Sequence, residues 1–325
     1  MKNLTLNNQL LKKSQSLIAL FILCLLIAIL SDKFLSTANL WNVLRQISVN
    51  VCIAVGMTLV VLMAGIDLSV GSVLALSGAI CAGLIKFGIA FESMDLFVGF
   101  TVLGGILAAM LVGGLLGLFN GWVITRFVVP PFVATLAMLT IARGLTMLYT
   151  KGIPISNLGP GLEYIGSGWL IGIPVPVWIS MFVVLIFVFI SKRTAFGRYI
   201  YAIGGNEKAA FLSGININRI KLAVYGLAGM LAGVGGVLVT ARLNSAQPNA
   251  GMTYELDAIA AVVIGGTSLS GGVGSVTGTV IGAAIIGVLN NGLVLLDVSP
   301  FWQQVAKGIV ILFAVIIDKM NRNEA

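Results

Sequence analysis

Residues 191–221 read SKRTAFGRYIYAIGGNEKAAFLSGININRIK and form the one long polar interruption in an otherwise apolar chain. Glu207 is the single acid of this segment. Its basic residues are Lys192, Arg193, Arg198, Lys208, Arg219 and Lys221. Because loops rich in Lys and Arg stay on the cytoplasmic side of a membrane, the segment predicts a cytoplasmic loop between two membrane-spanning helices.

A short helix is predicted inside this loop. Gly204, Gly205 and Asn206 predict a turn, and Asn206 is a favourable N-cap residue. The sequence EKAAFLS over residues 207–213 predicts a helix that stops at Gly214. The simpler alternative is a solvated basic loop that only fixes the topology, although a loop needed only for its charge would not require a turn and a helix.

The composition of the 325-residue chain is that of an integral membrane protein: 58% of its residues are hydrophobic, 9% are charged, and the mean hydropathy is +1.07. One helical span needs roughly 20 apolar residues, so the chain has room for about ten spans with short loops. The apolar runs are continuous rather than alternating, which favours helices over transmembrane strands. We therefore expect an all-α polytopic protein with some short or broken helices, folded as one transmembrane domain over residues 1–325.

The apolar runs and the basic residues together predict a topology with both termini in the cytoplasm. The ten predicted spans cover residues 17–30, 43–64, 70–87, 96–119, 131–149, 177–190, 222–241, 258–266, 276–296 and 301–317. With the N-terminus inside, this order places most of the 19 basic residues in the cytoplasm and most acids, including Asp257, outside.

Two external segments of this topology are rich in turn-forming residues. Residues 150–176 contain several prolines and glycines, and residues 244–249 read NSAQPN. Such segments form ordered but irregular loops. Each is either a docking surface or a simple connector.

Several function classes are disfavoured by what the sequence lacks. It has no histidine, no Gly-Lys dipeptide of a phosphate-binding loop, and three cysteines without metal-ligand spacing. We predict no metal, no cofactor and no catalytic cluster, so a membrane-embedded enzyme is disfavoured, and any ATP that drives the protein must be bound by another chain. The net charge of +8 is explained by topology, so no nucleic-acid partner is predicted.

Two short segments of the chain resemble each other. Residues 65–72 read GIDLSVGS and residues 266–275 read GTSLSGGVGS, so they align with a two-residue insertion. Each comes directly after an apolar run, and its Gly, Ser and Asp residues favour a helix break. Broken helices at membrane depth lie against protein or a water-filled cavity, and transporters place them beside the substrate path. The alternative is chance similarity in a chain rich in Gly and Ser.

Three ionisable residues lie within or between the predicted spans. Asp67 has four candidate roles: it lines a pore, binds a proton, pairs with a cation, or caps the start of the next helix. Ser69 is the other candidate for that cap. Arg143 is expected to face the protein interior and pair with a carbonyl, and Lys307 to extend towards the membrane surface. The candidates for a translocation path or a helix break are Asp67, Ser69, Gly71, Ser268, Ser270, Asn290 and Asn291.

Long strings of the sequence resemble the permease subunits of bacterial ABC importers for ribose and related sugars. The strings are GIDLSVGS at 65–72, GRYIYAIGGNEKAAFLSGIN at 197–216, SAQP at 245–248, YELDAIAAVVIGGTSLSGG at 254–272 and NNGL at 290–293. Together they extend over essentially the whole chain. An ion-coupled secondary transporter is the alternative, and it would require more ionisable residues within the spans.

The resemblance implies a multi-pass permease of the bacterial inner membrane that works as a homodimer. A separate ATP-binding subunit would dock on the cytoplasmic face, and a periplasmic sugar-binding protein would deliver the ligand. In this family the GGNEKAA segment resembles the coupling helix that contacts the ATP-binding subunit. The residues implied in coupling are Gly204, Gly205, Asn206, Glu207, Ala210 and Gly214.

Overall fold

The computed structural model of the chain is almost entirely helical. It describes residues 2–91 and 96–323, but not the side chains of residues 2–14, 91, 96, 314, 317, 318 and 320–323. The helices are α1 (Lys2–Leu30), α2 (Thr37–Leu62), α3 (Val70–Phe87), α4 (Val102–Phe127), α5 (Pro131–Thr150), α6 (Pro160–Ser167), α7 (Val175–Arg193), α8 (Ala195–Gly205), α9 (Glu207–Leu212), α10 (Ile217–Leu243), α11 (Tyr254–Ile264), α12 (Val276–Leu295) and α13 (Pro300–Asn323). The strands are β1 (Ile89–Phe91), β2 (Leu96–Val98), β3 (Ile155–Ser156), β4 (Trp169–Leu170), β5 (Ile173–Pro174) and β6 (Ser245–Ala246).

Seven of the described helices are long and apolar enough to cross a membrane, which makes the chain a multi-pass membrane protein. They are α2, α3, α4, α5, α7, α10 and α12. The predicted spans over 17–30, 258–266 and 301–317 fall on α1, α11 and α13, which are not among the seven. Helix α11 has only 11 residues, so it is too short to span a bilayer alone. The count of ten spans therefore stays a prediction.

Helix starts agree with the capping preferences of the sequence. The side chains of Ser36, Thr101 and Ser275 accept backbone N–H groups at the first turns of α2, α4 and α12. The predicted start of the fourth span at residue 96 is wrong, because residues 96–98 form β2, which pairs antiparallel with β1. The helix begins only after the Thr101 cap.

The described residues form two compact units, each with its own packing. The first unit comprises Met1–Ala64, Val183–Ile215 and Leu256–Ala325, and the second comprises Gly65–Phe182 and Asn216–Glu255. The prediction of a single transmembrane domain stays a prediction.

The second unit is built around α10, which packs against α3, α4 and α6. The backbones of α4 and α10 approach so closely at Gly113 and Gly229 that a Cβ added at either glycine would collide with the carbonyl oxygen of the other. Small residues at helix contacts allow this approach in membrane proteins. In this unit β3 and β6 also pair, so the two segments predicted to be external are hydrogen-bonded to each other.

In the first unit, α12 packs against α1 and α2. A hydrophobic cluster joins the three helices through Ile27, Val43 and Val288. Between α2 and α12, the hydroxyl groups of Thr58 and Thr279 are 2.7 Å apart and hydrogen-bonded. Buried polar groups of membrane helices require such partners, since the bilayer offers none.

Candidate functional site

The segment over 191–221 is mostly helical rather than a loop. Helix α7 continues to Arg193, α8 occupies 195–205, α9 begins after one further residue, and α10 begins at Ile217. The predicted turn at Gly204 and Gly205 is therefore wrong, because both glycines are the last residues of α8. Helix α8 starts at a cap formed by Thr194, whose hydroxyl accepts the Gly197 N–H at 3.2 Å.

Helix α9 confirms the predicted short helix and its cap. The Asn206 side chain accepts the Ala209 N–H at 3.0 Å. The helix ends at Leu212, and Gly214 has a φ of +83°, a left-handed conformation that glycine adopts without strain. The Ile215 N–H then donates to the Ala210 carbonyl at 3.2 Å, which closes the helix end.

The exposed surface of α9 includes two large apolar side chains that were not predicted from the sequence. Phe211 is 66% exposed and Leu212 is 84% exposed, whereas Ala210 is only 4% exposed. Glu207 at the start of the helix is also exposed. Ala210 therefore packs inside the chain, and Phe211 and Leu212 are the large apolar side chains that α9 exposes.

Exposed cations accompany this helical segment in the first unit. The basic side chains exposed from the end of α7 to α9 are Lys192, Arg193, Arg198 and Lys208. Their positive charge attracts acidic groups on a partner at long range. The segment thus combines exposed charge with two exposed apolar residues on α9.

The end of α8 packs tightly inside the first unit. A Cβ added at Gly204 would collide with the Leu62 carbonyl at the end of α2 and lie 2.5 Å from the Gly272 nitrogen. A Cβ added at Gly205 would meet nothing within 4 Å. Of these two coupling candidates, only Gly204 needs to be glycine for steric reasons.

We call residues 265–275, between α11 and α12, the second break. Two backbone hydrogen bonds lie within it: the Ser268 N–H donates to the Val273 carbonyl at 2.9 Å, and the Gly271 N–H donates to the Ser268 carbonyl at 3.0 Å. Gly271 and Gly272 have φ angles of +81° and +75°, so the chain cannot continue as a right-handed helix there. Ser268 and Ser270 thus lie between two helices, and their predicted role in a path stays a prediction.

The second break is attached to α2 and α8. The Gly272 N–H donates to the Leu62 carbonyl at 2.9 Å. The Tyr201 hydroxyl donates to the Gly274 carbonyl at 2.9 Å. Burial raises the pKa of Tyr201, so its hydroxyl stays protonated and available as a donor.

We call residues 65–69, before α3, the first break. Asp67 is 1% exposed, and its carboxylate accepts the Ser69 N–H at 2.9 Å and the Ser69 hydroxyl at 2.6 Å. The Asn120 amide of α4 donates to the Ser69 hydroxyl oxygen at 3.0 Å, and the Thr135 hydroxyl of α5 donates to the Ile66 carbonyl at 3.2 Å. The predicted helix cap is wrong in detail: Ser69 occupies the N-cap position of α3 without a side-chain cap bond, and Asp67 binds Ser69 itself.

Gly71 lies in the first turn of α3 at another close backbone contact. A Cβ added there would collide with the Gly251 carbonyl oxygen and lie 2.5 Å from a Glu255 carboxylate oxygen. Gly71 therefore serves packing within the second unit, while its predicted role in a path stays a prediction.

Asn290 and Asn291 on α12 bind other side chains of the first unit. Asn291 and Asn39 exchange two amide hydrogen bonds of 2.9 and 3.0 Å, which join α12 to α2. Asn290 donates to the Asp257 carboxylate at 3.4 Å. Both asparagines are buried, and their predicted role in a path stays a prediction.

A partly buried ion pair joins α11 and α13 in the first unit. Lys307 lies 3.0 Å from the Asp257 carboxylate, and Asp257 is only 3% exposed. The ammonium group of Lys307 is therefore paired with this carboxylate, while its predicted extension towards the membrane surface stays a prediction. Asp257 belongs to α11 rather than to an exposed loop.

Arg143 confirms its predicted pairing with carbonyl groups. Its guanidinium donates to the Pro248 carbonyl at 2.8 Å and to the Ala250 carbonyl at 2.9 Å. The cation thereby fixes the turn between α10 and α11 within the second unit. Among the described residues, no group of His, Cys, Asp and Glu side chains has the arrangement of a metal site.

Residues 39–315 match the family model described as branched-chain amino acid transport system / permease component. The chain belongs to this permease family. It is 50% identical to the ribose import permease protein RbsC of Haemophilus influenzae, over 98% of this chain and 97% of the relative. It is also 50% identical to that of Bacillus subtilis, over 93% and 91%, and 48% identical to that of Escherichia coli, over 96% and 95%. No solved structure matches the chain.

Within this permease, the functional candidates missed from the sequence are Phe211, Leu212 and Tyr201. Phe211 and Leu212 could have been found from the sequence, because they are two large apolar residues in an otherwise polar, basic segment. Tyr201 carried no such signal, because its partner Gly274 lies 73 residues away along the chain.

Proposed function

We propose that this permease is the membrane-spanning subunit of an ATP-driven ribose importer in the bacterial inner membrane. The observation that carries the proposal is the similarity to ribose import permeases, 50% identity over nearly the full length of both chains. The permease forms the path for the sugar and hydrolyses no ATP itself. Two copies act together with a cytoplasmic ATP-binding subunit and a periplasmic ribose-binding protein.

The topology of the proposal places α8 and α9 in the cytoplasm. Ten spans with both termini inside put the basic residues of 191–221 on that side, in accordance with the positive-inside rule. Under the same topology, β3 and β6 face the periplasm, where the binding protein would deliver ribose.

Helix α9 is the element that docks the ATP-binding subunit. Phe211 and Leu212 are its exposed apolar anchors, and a few residues carry most of the binding energy of a typical interface. Asn206 caps the start of this helix, Gly214 follows its end, and Gly204 shapes the end of the preceding helix α8. Glu207 supplies a polar contact at its exposed first turn.

Transport then results from movement of two docked helices. When ATP closes the two cytoplasmic subunits, they move the two copies of α9, and the spans change between inward and outward access. Ribose is uncharged, so its path requires few ionisable side chains. This agrees with a chain of which only 9% is charged.

The test is uptake of labelled ribose into proteoliposomes that contain the permease and the ATP-binding subunit, with ATP on the side of that subunit and ribose-loaded binding protein on the opposite side. We expect uptake only when all three proteins and ATP are present. Uptake without ATP that depends on a proton or sodium gradient would overturn the proposal in favour of a secondary transporter. ATP-dependent uptake of xylose or allose in preference to ribose would correct the substrate.

The docking helix is tested separately by capture of the ATP-binding subunit on the tagged permease in mild detergent. Phe211→Ala removes one anchor and is expected to cost about 2 kcal/mol of binding, roughly a 30-fold rise in Kd. Phe119→Ala is the matched control, because Phe119 is a similarly exposed aromatic residue on the span α4. Equal capture by both variants would contradict docking through α9.

A further inference from the structure

We propose that Tyr201 and the second break link the docking helix α9 to the span α12, so that Tyr201 is a positioning residue for the coupling of ATP hydrolysis to transport. The inference rests on the proposed function of α9. It assigns a role to a tyrosine and a loop that lie outside the docking surface itself. The observations are the contacts that join α9, α8, the second break and α12 in order within the first unit.

The first connection is the junction of α8 and α9. Asn206 alone separates the two helices: its N–H donates to the Ala202 carbonyl of α8 at 3.1 Å, and its carbonyl accepts the Ala210 N–H of α9 at 3.0 Å. Its side chain also caps α9. Because one residue ends one helix and starts the next, a displacement of α9 must move the end of α8.

The second connection joins the end of α8 to the second break. The Tyr201 hydroxyl holds the Gly274 carbonyl at 2.9 Å, one helical turn before α8 ends. Gly204 lies against Gly272 so closely that no side chain fits between them. Movement of α8 therefore either carries the loop along or breaks the tyrosine hydrogen bond.

The third connection joins the loop to α12. The loop is stiffened by its own hydrogen bonds between Ser268 and Val273 and between Gly271 and Ser268. Gly274 directly precedes Ser275, whose hydroxyl accepts the Gly278 N–H at 3.1 Å and caps α12. A displacement of Gly274 thus acts directly on the first turn of α12, because no residue separates Gly274 from the cap residue Ser275.

The second break is also attached to α2, a helix outside the chain of contacts from α9 to α12. The Gly272 N–H is bound to the Leu62 carbonyl at the end of α2. The loop is therefore held by α2 at Gly272 and by α8 at Gly274. Displacement of α8 relative to α2 changes the strain on this short stretch, and coupling between distant sites is carried by chains of packed and hydrogen-bonded groups of this kind.

Tyr201→Phe tests the link, because it removes only the hydroxyl and keeps the ring. Tyr199→Phe is the matched control, since Tyr199 is on the same helix and 40% exposed. The two variants and the unchanged chain are assembled with the ATP-binding subunit in proteoliposomes, and ribose transported per ATP hydrolysed is measured with ribose-loaded binding protein.

We expect Tyr201→Phe to bind the ATP-binding subunit and hydrolyse ATP normally, with an unchanged KM for ATP, while ribose moved per ATP falls about fivefold, the effect of one lost hydrogen bond. Tyr199→Phe should match the unchanged chain. An unchanged ratio in Tyr201→Phe would overturn the link, and so would loss of subunit binding, which would place Tyr201 in docking. Failure of the unchanged chain to bind the subunit would instead refute the proposed function of α9.

Discussion

The first and second breaks start from nearly the same sequence and satisfy their backbones in different ways. In the alignment of GIDLSVGS with GTSLSGGVGS, Asp67 corresponds to Ser268, and each side chain accepts the N–H two residues later, at 2.9 and 3.4 Å. The repeated sequence therefore produces a repeated local turn. The two segments therefore resemble each other in local structure as well as in sequence.

The two breaks differ in the backbone between that turn and the next helix. After Ser69 the first break passes directly into α3, whereas Gly271 and Gly272 of the second break take left-handed conformations and delay α12 until Val276. The first break is supported by side chains from α4 and α5, and the second by contacts with α2 and α8 in which its own backbone takes part. One break therefore depends on a buried carboxylate and the other on glycines.

Each unit also contains one buried aspartate near its break, and the two are stabilised differently. Asp67 is bound by uncharged donors on Ser69, while Asp257 on α11 is paired with the cation Lys307. In the second unit the buried carboxylate thus binds within the helix break itself. In the first unit the buried carboxylate is paired on α11, outside the break. Substitutions at the two aspartates and at the glycines and serines of the breaks test this difference.

Lys307→Met should have the largest effect on stability. Removal of one partner leaves the Asp257 carboxylate buried without its cation, which costs about 4 kcal/mol. The measurement is thermal unfolding in detergent. The double variant Lys307→Met with Asp257→Asn removes the charge and should recover most of the loss, so equal instability of the single and double variants would show that packing rather than charge dominates.

Asp67→Ala should have the next largest effect, with a loss of about 3 kcal/mol, because the buried N–H and hydroxyl of Ser69 lose their acceptor. Asp67→Asn keeps an acceptor oxygen and should cost about 1 kcal/mol. Both are measured by unfolding in detergent and by ribose uptake. An Asn variant that is stable but does not transport would instead assign Asp67 a role that requires its charge.

Gly204→Ala tests the dependence of the second break on close backbone contact. The added methyl group collides with the Leu62 carbonyl, so overpacking should cost about 2 kcal/mol. Gly205→Ala is the control, because its added Cβ enters open space. Alanine also has a higher helix propensity than the glycine that it replaces. If the two variants unfold at the same temperature, the end of α8 is not packed against α2.

Local features were the part of this molecule that the sequence could predict. The cap at Asn206 and the stop at Gly214 result from the conformational preferences of those two residues, which do not depend on the rest of the chain. The Arg143 pairing was predictable for a similar reason, because a cation in a span must find acceptors in its own protein.

Features that depend on distant residues could not be predicted. Asp257 and Lys307 are 50 positions apart, and nothing in either local sequence indicates the other. Helix α8 was missed because its glycines predict a turn, whereas packing of Gly204 against Leu62 requires a glycine inside the helix. In both cases tertiary contacts decide what the local sequence leaves open.

The smallest effects are expected for the aligned serines Ser69 and Ser270. Ser69 is buried and binds both Asp67 and Asn120, so Ser69→Ala should destabilise the second unit by about 1.5 kcal/mol. Ser270 occupies the same position of the second motif but is exposed, and its role in the turn belongs to its backbone N–H, which alanine retains. Ser270→Ala should therefore change stability by less than about 0.5 kcal/mol. Unfolding of the two single variants in the same detergent compares the breaks directly, and equal losses would mean that the second break also depends on the side chain of Ser270.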